Sequence, residues 1–418
     1  MRGSEVRRYS PGWTTAAECL IYAFVVVGYL EKIHDLYYLV MVLDAVLAVI
    51  SFFFIVLWFF LEKEYCRNPV SSSLCVLTSV ILVSSVAGGS DSARLMVASF
   101  ALLESWAVAI AVIILEKRIG SIMRAVYVFI IAFTILYALF SLAMGMESSE
   151  TRYSGLSDQT NSLAVVSASS LIIALSLTGR RRGIIGTVTA NIALVLASVL
   201  FTYTLKTTDS RTSYFALLTA LALFVVLSFL HPEDRVSLVL VTVLSVIGIV
   251  VVVLYLLSSS RSLSSLTLSS LTSGRTTIWS GTLSRMEAEE YLFGFGGNSS
   301  AMTALLEERG MEKELAGYLG EKHLMHNIYI QFLVEYGIVS ALAFTSGTIF
   351  LFVSSFSSMK RKSEERWLIL SSSSLILFFL VHSLAESAVY FIGGSEQVLF
   401  ILSLSVVYLS YRERRSEK

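Results

Sequence analysis

Residues 125–144 read AVYVFIIAFTILYALFSLAM, and this stretch decides the fold. It carries no charge, while Lys117, Arg118 and Arg124 stand before it. An α-helix needs about 20 apolar residues to cross the hydrocarbon core of a bilayer. In lipid the backbone donors and acceptors must be satisfied within the segment, so such a run is a helix. Comparable runs recur at Val40 to Leu61, Leu238 to Leu257 and Ile328 to Phe356. The whole chain of 418 residues is 55% hydrophobic and only 15% charged, against about 25% charge in soluble domains. Its net charge is zero, which implies no nucleic-acid partner. The fold class expected is therefore all-α and polytopic.

A hydropathy window of ~19 residues marks about twelve spans. They lie near 14–30, 36–61, 70–87, 94–115, 123–144, 161–178, 184–205, 212–230, 236–257, 327–356, 367–391 and 396–411. Lys and Arg fix the direction. With the N-terminus in the cytoplasm, the inner segments hold Arg2, Arg7, Arg8, Lys63, Arg67, Lys117, Arg118, Arg124, Arg180 to Arg182, Arg235, Lys360 to Lys362, Arg366 and the tail from Arg412. The short outer loops hold only Lys32, Arg94, Arg152, Lys206 and Arg211. This is the positive-inside asymmetry, and it places both termini in the cytoplasm. The sequence Glu31-Lys32-Ile33-His34 follows the first run in place of a small-residue cleavage site, so that run reads as a retained helix.

The expected domains are helices one to nine in 1–257, an extracytoplasmic cap loop in 258–325, helices ten to twelve in 326–411, and a basic tail in 412–418. A loop of this length is usually functional. Within it, a Ser/Leu-rich start leads to Gly274-Arg275-Thr276-Thr277-Ile278-Trp279, then Phe293-Gly294-Phe295-Gly296. An amphipathic helix is expected from about Ser299 to Leu319. Composition fits a solvated surface loop equally well.

Several residues suit chemistry at such a face. Arg275 and Arg285 present guanidinium forks that match phosphate oxygens; pairing with Glu287 or Glu289 is their commoner use. His326, at the start of the tenth span, has the side chain most suited to general-base work near neutral pH. Asn327 beside it can cap the helix. His323 and His326 lack a third metal ligand at fixed spacing, and the three cysteines lie in or beside apolar runs, so no metal is expected. Glu104, Glu335 and Glu386 fall within predicted spans, where ionisable groups are costly and are candidates for function. Interhelical hydrogen bonding explains them equally. Glu335 lies two to three turns beyond His326, so the two can share one polar cavity. No phosphate-binding Walker loop, dinucleotide fingerprint, His-Glu-x-x-His or Gly-x-Ser-x-Gly occurs.

Four segments together resemble a known family. They are Arg152-Tyr153-Ser154-Gly155 with Asn161-Ser162-Leu163-Ala164; Gly179-Arg180-Arg181-Arg182-Gly183; Ser273-Gly274-Arg275 to Trp279 with Phe293-Gly294-Phe295-Gly296; and His326-Asn327 running to Glu335-Tyr336-Gly337. His382-Ser383-Leu384-Ala385-Glu386-Ser387 adds a further element. In order and spacing these resemble the O-antigen ligase and O-antigen polymerase family of bacterial membrane glycosyltransferases, over about residues 145–390. The usual Pro before Asn161 is Thr160, and the usual Ser of the inner turn is Arg181.

The resemblance implies an undecaprenyl-diphosphate-linked oligosaccharide donor and a glycan acceptor. They would meet on the outer face of the bacterial inner or cell membrane, with no metal and no cofactor. It implies Arg275 on the diphosphate and His326 as the base. Arg152, Arg285 and Asn161 would contact phosphate or sugar, Trp279 would stack on a sugar, and Glu335 and Glu386 would lie in the substrate site. Repeat-unit polymerisation is the expected activity, with other polysaccharide-export proteins as partners. A ligase acting on a different acceptor is the alternative. Two rivals lie outside the family: a polyprenyl-phosphate sugar transferase built on Glu31 and Asp35, and a transporter or flippase using intramembrane charges.

Overall fold

A computed structural model describes residues 10–33, 36–61, 92–143, 156, 160–177, 184–208, 210–230, 275–296, 299–313, 325–358, 366–386 and 395–416. Among them all regular structure is helical. The helices are α1 (Pro11–Leu30), α2 (Tyr37–Leu61), α3 (Ser92–Ile114), α4 (Ile119–Ala143), α5 (Thr160–Leu177), α6 (Ile184–Thr208) and α7 (Arg211–Leu230). The cap region contributes α8 (Arg275–Leu283), α9 (Ala288–Phe293) and α10 (Ser299–Glu308). Then come α11 (Ile328–Ser358), α12 (Arg366–His382) and α13 (Ser395–Ser416).

The side-chain distribution is that of a bundle whose solvent is lipid. Leu39, Val42, Val46 and Phe53 of α2, and Leu136 and Phe140 of α4, are exposed. Ser167, Ser169 and Ser170 of α5 and Ser371 to Ser374 of α12 are buried. Lipid tails are as apolar as leucine, so large apolar groups gain little by turning inward. Small residues let helix backbones approach, and hydroxyls then bond between helices. Thr134 and Ser170 hydroxyls lie 2.8 Å apart, Tyr127 and Ser371 3.1 Å apart, and Gln397 donates to Ser105 at 2.9 Å. Ser373 returns its hydroxyl to the Ile369 carbonyl at 2.7 Å, the back-bond open to a serine within a helix.

α12 sits at the centre, packed on α5, α7, α11 and α13. α13 also meets α1 and α3, and α2 packs on α3. Six described helices are long and apolar enough to cross a membrane: Pro11–Leu30, Tyr38–Trp58, Glu116–Ala143, Asn191–Thr208, Arg211–Ser228 and Ile328–Ser354. Four shorter apolar helices accompany them. The expected spans at 70–87 and 236–257 lie outside the described residues.

Contacts between helix termini sort the bundle into two ends. Lys32, after α1, pairs with Glu396 of α13 at 2.7 Å, and Tyr137 of α4 donates to the Lys32 carbonyl at 3.0 Å. At that same end lie the start of α5, the start of α7, the start of α11 and the finish of α12, joined by contacts described below. At the opposite end Arg118 pairs with Glu18 at 2.9 Å.

Three local expectations change. The amphipathic helix expected to Leu319 stops at Glu308. Gly310 turns the chain at φ 83° and Met311 N–H bonds back to the Leu306 carbonyl at 2.8 Å, which closes the helix with a left-handed glycine. The tenth span is interrupted at Gly337 (φ 77°, ψ 176°). The eleventh ends at His382 and not near 391, so Glu386 stands in a turn beyond the helix.

Candidate active site

Glu386 is the hub. One carboxylate oxygen, Oε1, receives the Arg275 guanidinium at 2.6 Å and the Asn161 side-chain amide. The other, Oε2, lies 2.9 Å from His326 Nδ1. Arg275 also donates to the Ala385 carbonyl. Thus α5, α8, the start of α11 and the turn after α12 converge on one carboxylate. Its side chain is 11% exposed, against 16% for Arg275 and 18% for His326. All three side chains are largely enclosed, the two basic groups slightly less than the acid. Burial alone would raise the Glu386 carboxyl. The hydrogen bond from His326 and the positive charge of Arg275 outweigh it and hold the group below the ordinary carboxylate range.

Local backbone chemistry sets this geometry. His326 has φ 50°, a left-handed conformation that a non-glycine residue adopts only when its surroundings enforce it. Asn327 supplies the enforcement. Its side-chain oxygen accepts from the N–H groups of Tyr329 and Ile330 at 3.0 and 3.1 Å, capping α11. Its amide donates to the Leu384 carbonyl at 2.8 Å, and Ile328 N–H donates to Ser383 O at 3.0 Å. The cap that opens α11 and the turn that follows α12 are thus stitched together, and His326 and Glu386 are carried on the two sides of the seam.

The other sequence candidates take different places. Trp279 donates its indole N–H to the Met325 carbonyl at 2.6 Å and packs against the apolar core of the cap. Arg285 donates to the carbonyls of Gly281 and Gly310 at 3.0 and 2.8 Å, clamping α8 to the turn after α10. The acidic residues near it pair instead with Arg309, which meets Glu290 at 2.6 Å and Glu287 at 3.1 Å. Glu335 accepts from Gln331, whose own oxygen receives Met325 N–H at 2.5 Å. The carboxylate that meets His326 Nδ1 at 2.9 Å is that of Glu386. Arg152 and His323 lie outside the described residues. Among the described residues, no three His, Cys, Asp or Glu side chains gather as metal ligands.

The Phe-Gly-Phe-Gly and Glu-Tyr-Gly segments explain one another. Phe295 and Gly296 N–H groups donate to the carbonyls of Val334 and Glu335, both at 2.8 Å, so the cap chain runs along α11 where that helix is broken. A Cβ on Gly294 would lie 2.3 Å from the Glu335 backbone carbon, and one on Gly337 would lie 2.0 Å from the Leu292 carbonyl oxygen. Both positions have φ above 70°. Only glycine fits either side of this contact.

Bundle and site define a class: a multi-pass α-helical membrane protein carrying a His–Glu–Arg cluster at one end, beside a small cap. Residues 196–345 match the family described as O-antigen ligase. The match spans Arg275 and His326, and Asn161 and Glu386 lie outside it. The matched stretch is about a third of the chain, and over it the chain is similar to that family. No curated protein matches the chain.

Proposed function

We propose that the protein transfers a glycan from an undecaprenyl-diphosphate-linked oligosaccharide to a sugar hydroxyl on the outer face of a bacterial inner or cell membrane, extending the repeat units of a surface polysaccharide. The observation that carries this reading is the Glu386 carboxylate joined at once to His326 and Arg275. A carboxylate accepting from Nδ1–H orients the imidazole and leaves the basic lone pair at Nε2. The acceptor hydroxyl loses its proton to Nε2 as its oxygen bonds to the anomeric carbon. The bond from that carbon to the lipid diphosphate breaks, and the electron pair leaves with the diphosphate. Negative charge then grows on the leaving oxygens, where positioned positive charge lowers the barrier most. Arg275 carries five N–H groups, of which two face Glu386 and Ala385; the rest of the fork serves the diphosphate. A diphosphate leaves readily, so no metal or general acid enters the scheme. Attack from the face opposite the leaving group makes the transfer inverting.

Asn161 steadies Glu386 in this scheme, and Arg152 adds charge for phosphate. The test is transfer by purified His326→Ala and Arg275→Ala variants. Both are expected to fold and to lose product by at least about 100-fold, the scale set by losing a general base or a charge stabiliser. Near-wild-type product from both would refute the reading. A ligase is the second reading, favoured by the description of the matched family. Chain-length ladders separate the two. Loss of long chains in a deletion strain marks a polymerase, and loss of attachment with long chains intact marks a ligase.

A further inference from the structure

The reaction as derived makes no use of His382. This residue closes α12, is 1% exposed and leans on Phe378 with ring centroids 5.6 Å apart. Its Nε2 lies 3.1 Å from the Ser213 hydroxyl of α7, which lies 3.0 Å from the Ser210 hydroxyl, and both serines are buried. Among the described residues its buried Nδ1 has no hydrogen-bond partner, and neither has the hydroxyl of Ser383 beside it. A buried ring nitrogen without a protein partner is unfavourable. An apolar ring would fill the same space without that cost, so what the imidazole contributes is the bond to Ser213.

The next four residues show where that bond acts. Ser383 and Leu384 offer their carbonyls to Ile328 N–H and the Asn327 amide, Ala385 offers its own to Arg275, and Glu386 follows. The turn is held to α12 by Ser383 N–H on the Phe379 carbonyl at 2.9 Å, Leu384 N–H on Val381 at 3.1 Å and Ala385 N–H on His382 at 3.2 Å. All of these positions follow from where the last turn of α12 lies, and His382 ties that turn to α7.

We infer that His382 is a positioning residue, which through Ser213 fixes the root of the 383–386 turn against α7 and so sets where Glu386 holds His326 and Arg275. The inference rests on the transferase reading above.

The test uses the purified full chain, a lipid-diphosphate-linked oligosaccharide donor, and thermal unfolding of every variant. His382→Gln places an amide near the position of Nε2, within reach of Ser213, whereas the amide of His382→Asn ends near Nδ1. His382→Asn and Ser213→Ala are expected to lower kcat by about 10- to 100-fold, the range for a small misplacement of reacting groups. His382→Gln is expected to restore most of that loss, and KM for the donor is expected to stay near wild type in all three. Placed on Glu386→Gln, neither His382→Asn nor Ser213→Ala should cost anything further, because all three act through one carboxylate. Equal losses in His382→Gln and His382→Asn overturn the inference, as does a loss that multiplies with Glu386→Gln. Should His382→Asn fail to fold, Ser213→Ala alone decides by the same comparison. If His326→Ala and Glu386→Gln transfer at the wild-type rate, the transferase reading itself fails and the inference falls with it. If those two lose transfer while Ser213→Ala and His382→Asn do not, only the inference fails.

Discussion

Glu386 bonds to three other elements through two oxygens, and that makes it the residue on which the account is most exposed. Its neutral analogue keeps the shape and removes the charge. Glu386→Gln is expected to lower kcat by at least about 100-fold, in the range for a misassigned imidazole tautomer, and to lower stability at neutral pH, because it removes the charge that pairs with Arg275 and His326. Acid separates the two proteins in another way. The folded state holds the Glu386 carboxyl below its ordinary value of 4.5, so the folded chain binds fewer protons there than the unfolded chain does. The stabilisation is complete above that ordinary value and fades as pH falls through the folded one. Thermal unfolding of wild type should decline below about pH 4.5 more steeply than that of Glu386→Gln. Parallel profiles would show that the carboxylate is not held by Arg275 and His326. Arg275→Lys tests the fork. A lysine can meet Glu386 or the Ala385 carbonyl but not both in the plane that Arg275 uses, so transfer by this variant should resemble that of Arg275→Ala. At this scale Arg275 and His326 were candidates from the sequence because each stands in a local motif, and the capping role of Asn327 was legible in the same way. The pairing of His326 with Glu386 was hidden, since they lie 60 residues apart. Glu335, two to three turns beyond His326, was the nearer choice, and its carboxylate accepts from Gln331.

The element that most departs from its pattern is α11. Its hydropathy is continuous from Ile328 to Phe356, and hydropathy carries no record of backbone conformation, so the break at Gly337 was not legible. What breaks the helix is the cap chain at Leu292 to Gly296, which takes the Val334 and Glu335 carbonyls as hydrogen-bond acceptors. Gly337→Ala and Gly294→Ala each place a Cβ within 2.3 Å of backbone atoms and force a positive φ on a non-glycine residue. Each should destabilise the protein by roughly 3 kcal/mol or more. Thermal unfolding in detergent measures this. Gly310, also at φ 83° but with open space around it, should show only the conformational cost of about 1 kcal/mol on change to Ala. Equal effects at Gly310 and Gly337 would mean that the cap is not seated on α11. The end of α12 was misjudged for a related reason. Leu384 and Ala385 continue the apolar pattern, but their carbonyls are taken by Asn327 and Arg275, so the chain leaves the helix at His382.

At the scale of the molecule, the helical architecture of the described residues was legible because a lipid solvent leaves the backbone few choices. Helix neighbours were not, because buried serines on α5 and α12 look like any polar interruption in a sequence and reveal a packing face only once their partners are known. The side of the membrane on which the site lies is an expectation from Lys and Arg placement, and it has its own check. In a chain with its cysteines replaced, Glu289→Cys in the cap should react with a membrane-impermeant maleimide in intact cells. Lys117→Cys at the opposite end should react only after permeabilisation; the reverse pattern would invert the topology. The central claim is that the cluster makes a glycosidic bond. The most direct measurement places the purified protein in liposomes with lipid-diphosphate-linked oligosaccharide and an acceptor glycan, and follows both extended glycan and free lipid diphosphate. The account predicts one lipid diphosphate released for each new glycosidic bond, with both lost together in His326→Ala. Movement of the donor across the bilayer without bond formation, or bond formation unchanged in His326→Ala, would contradict it.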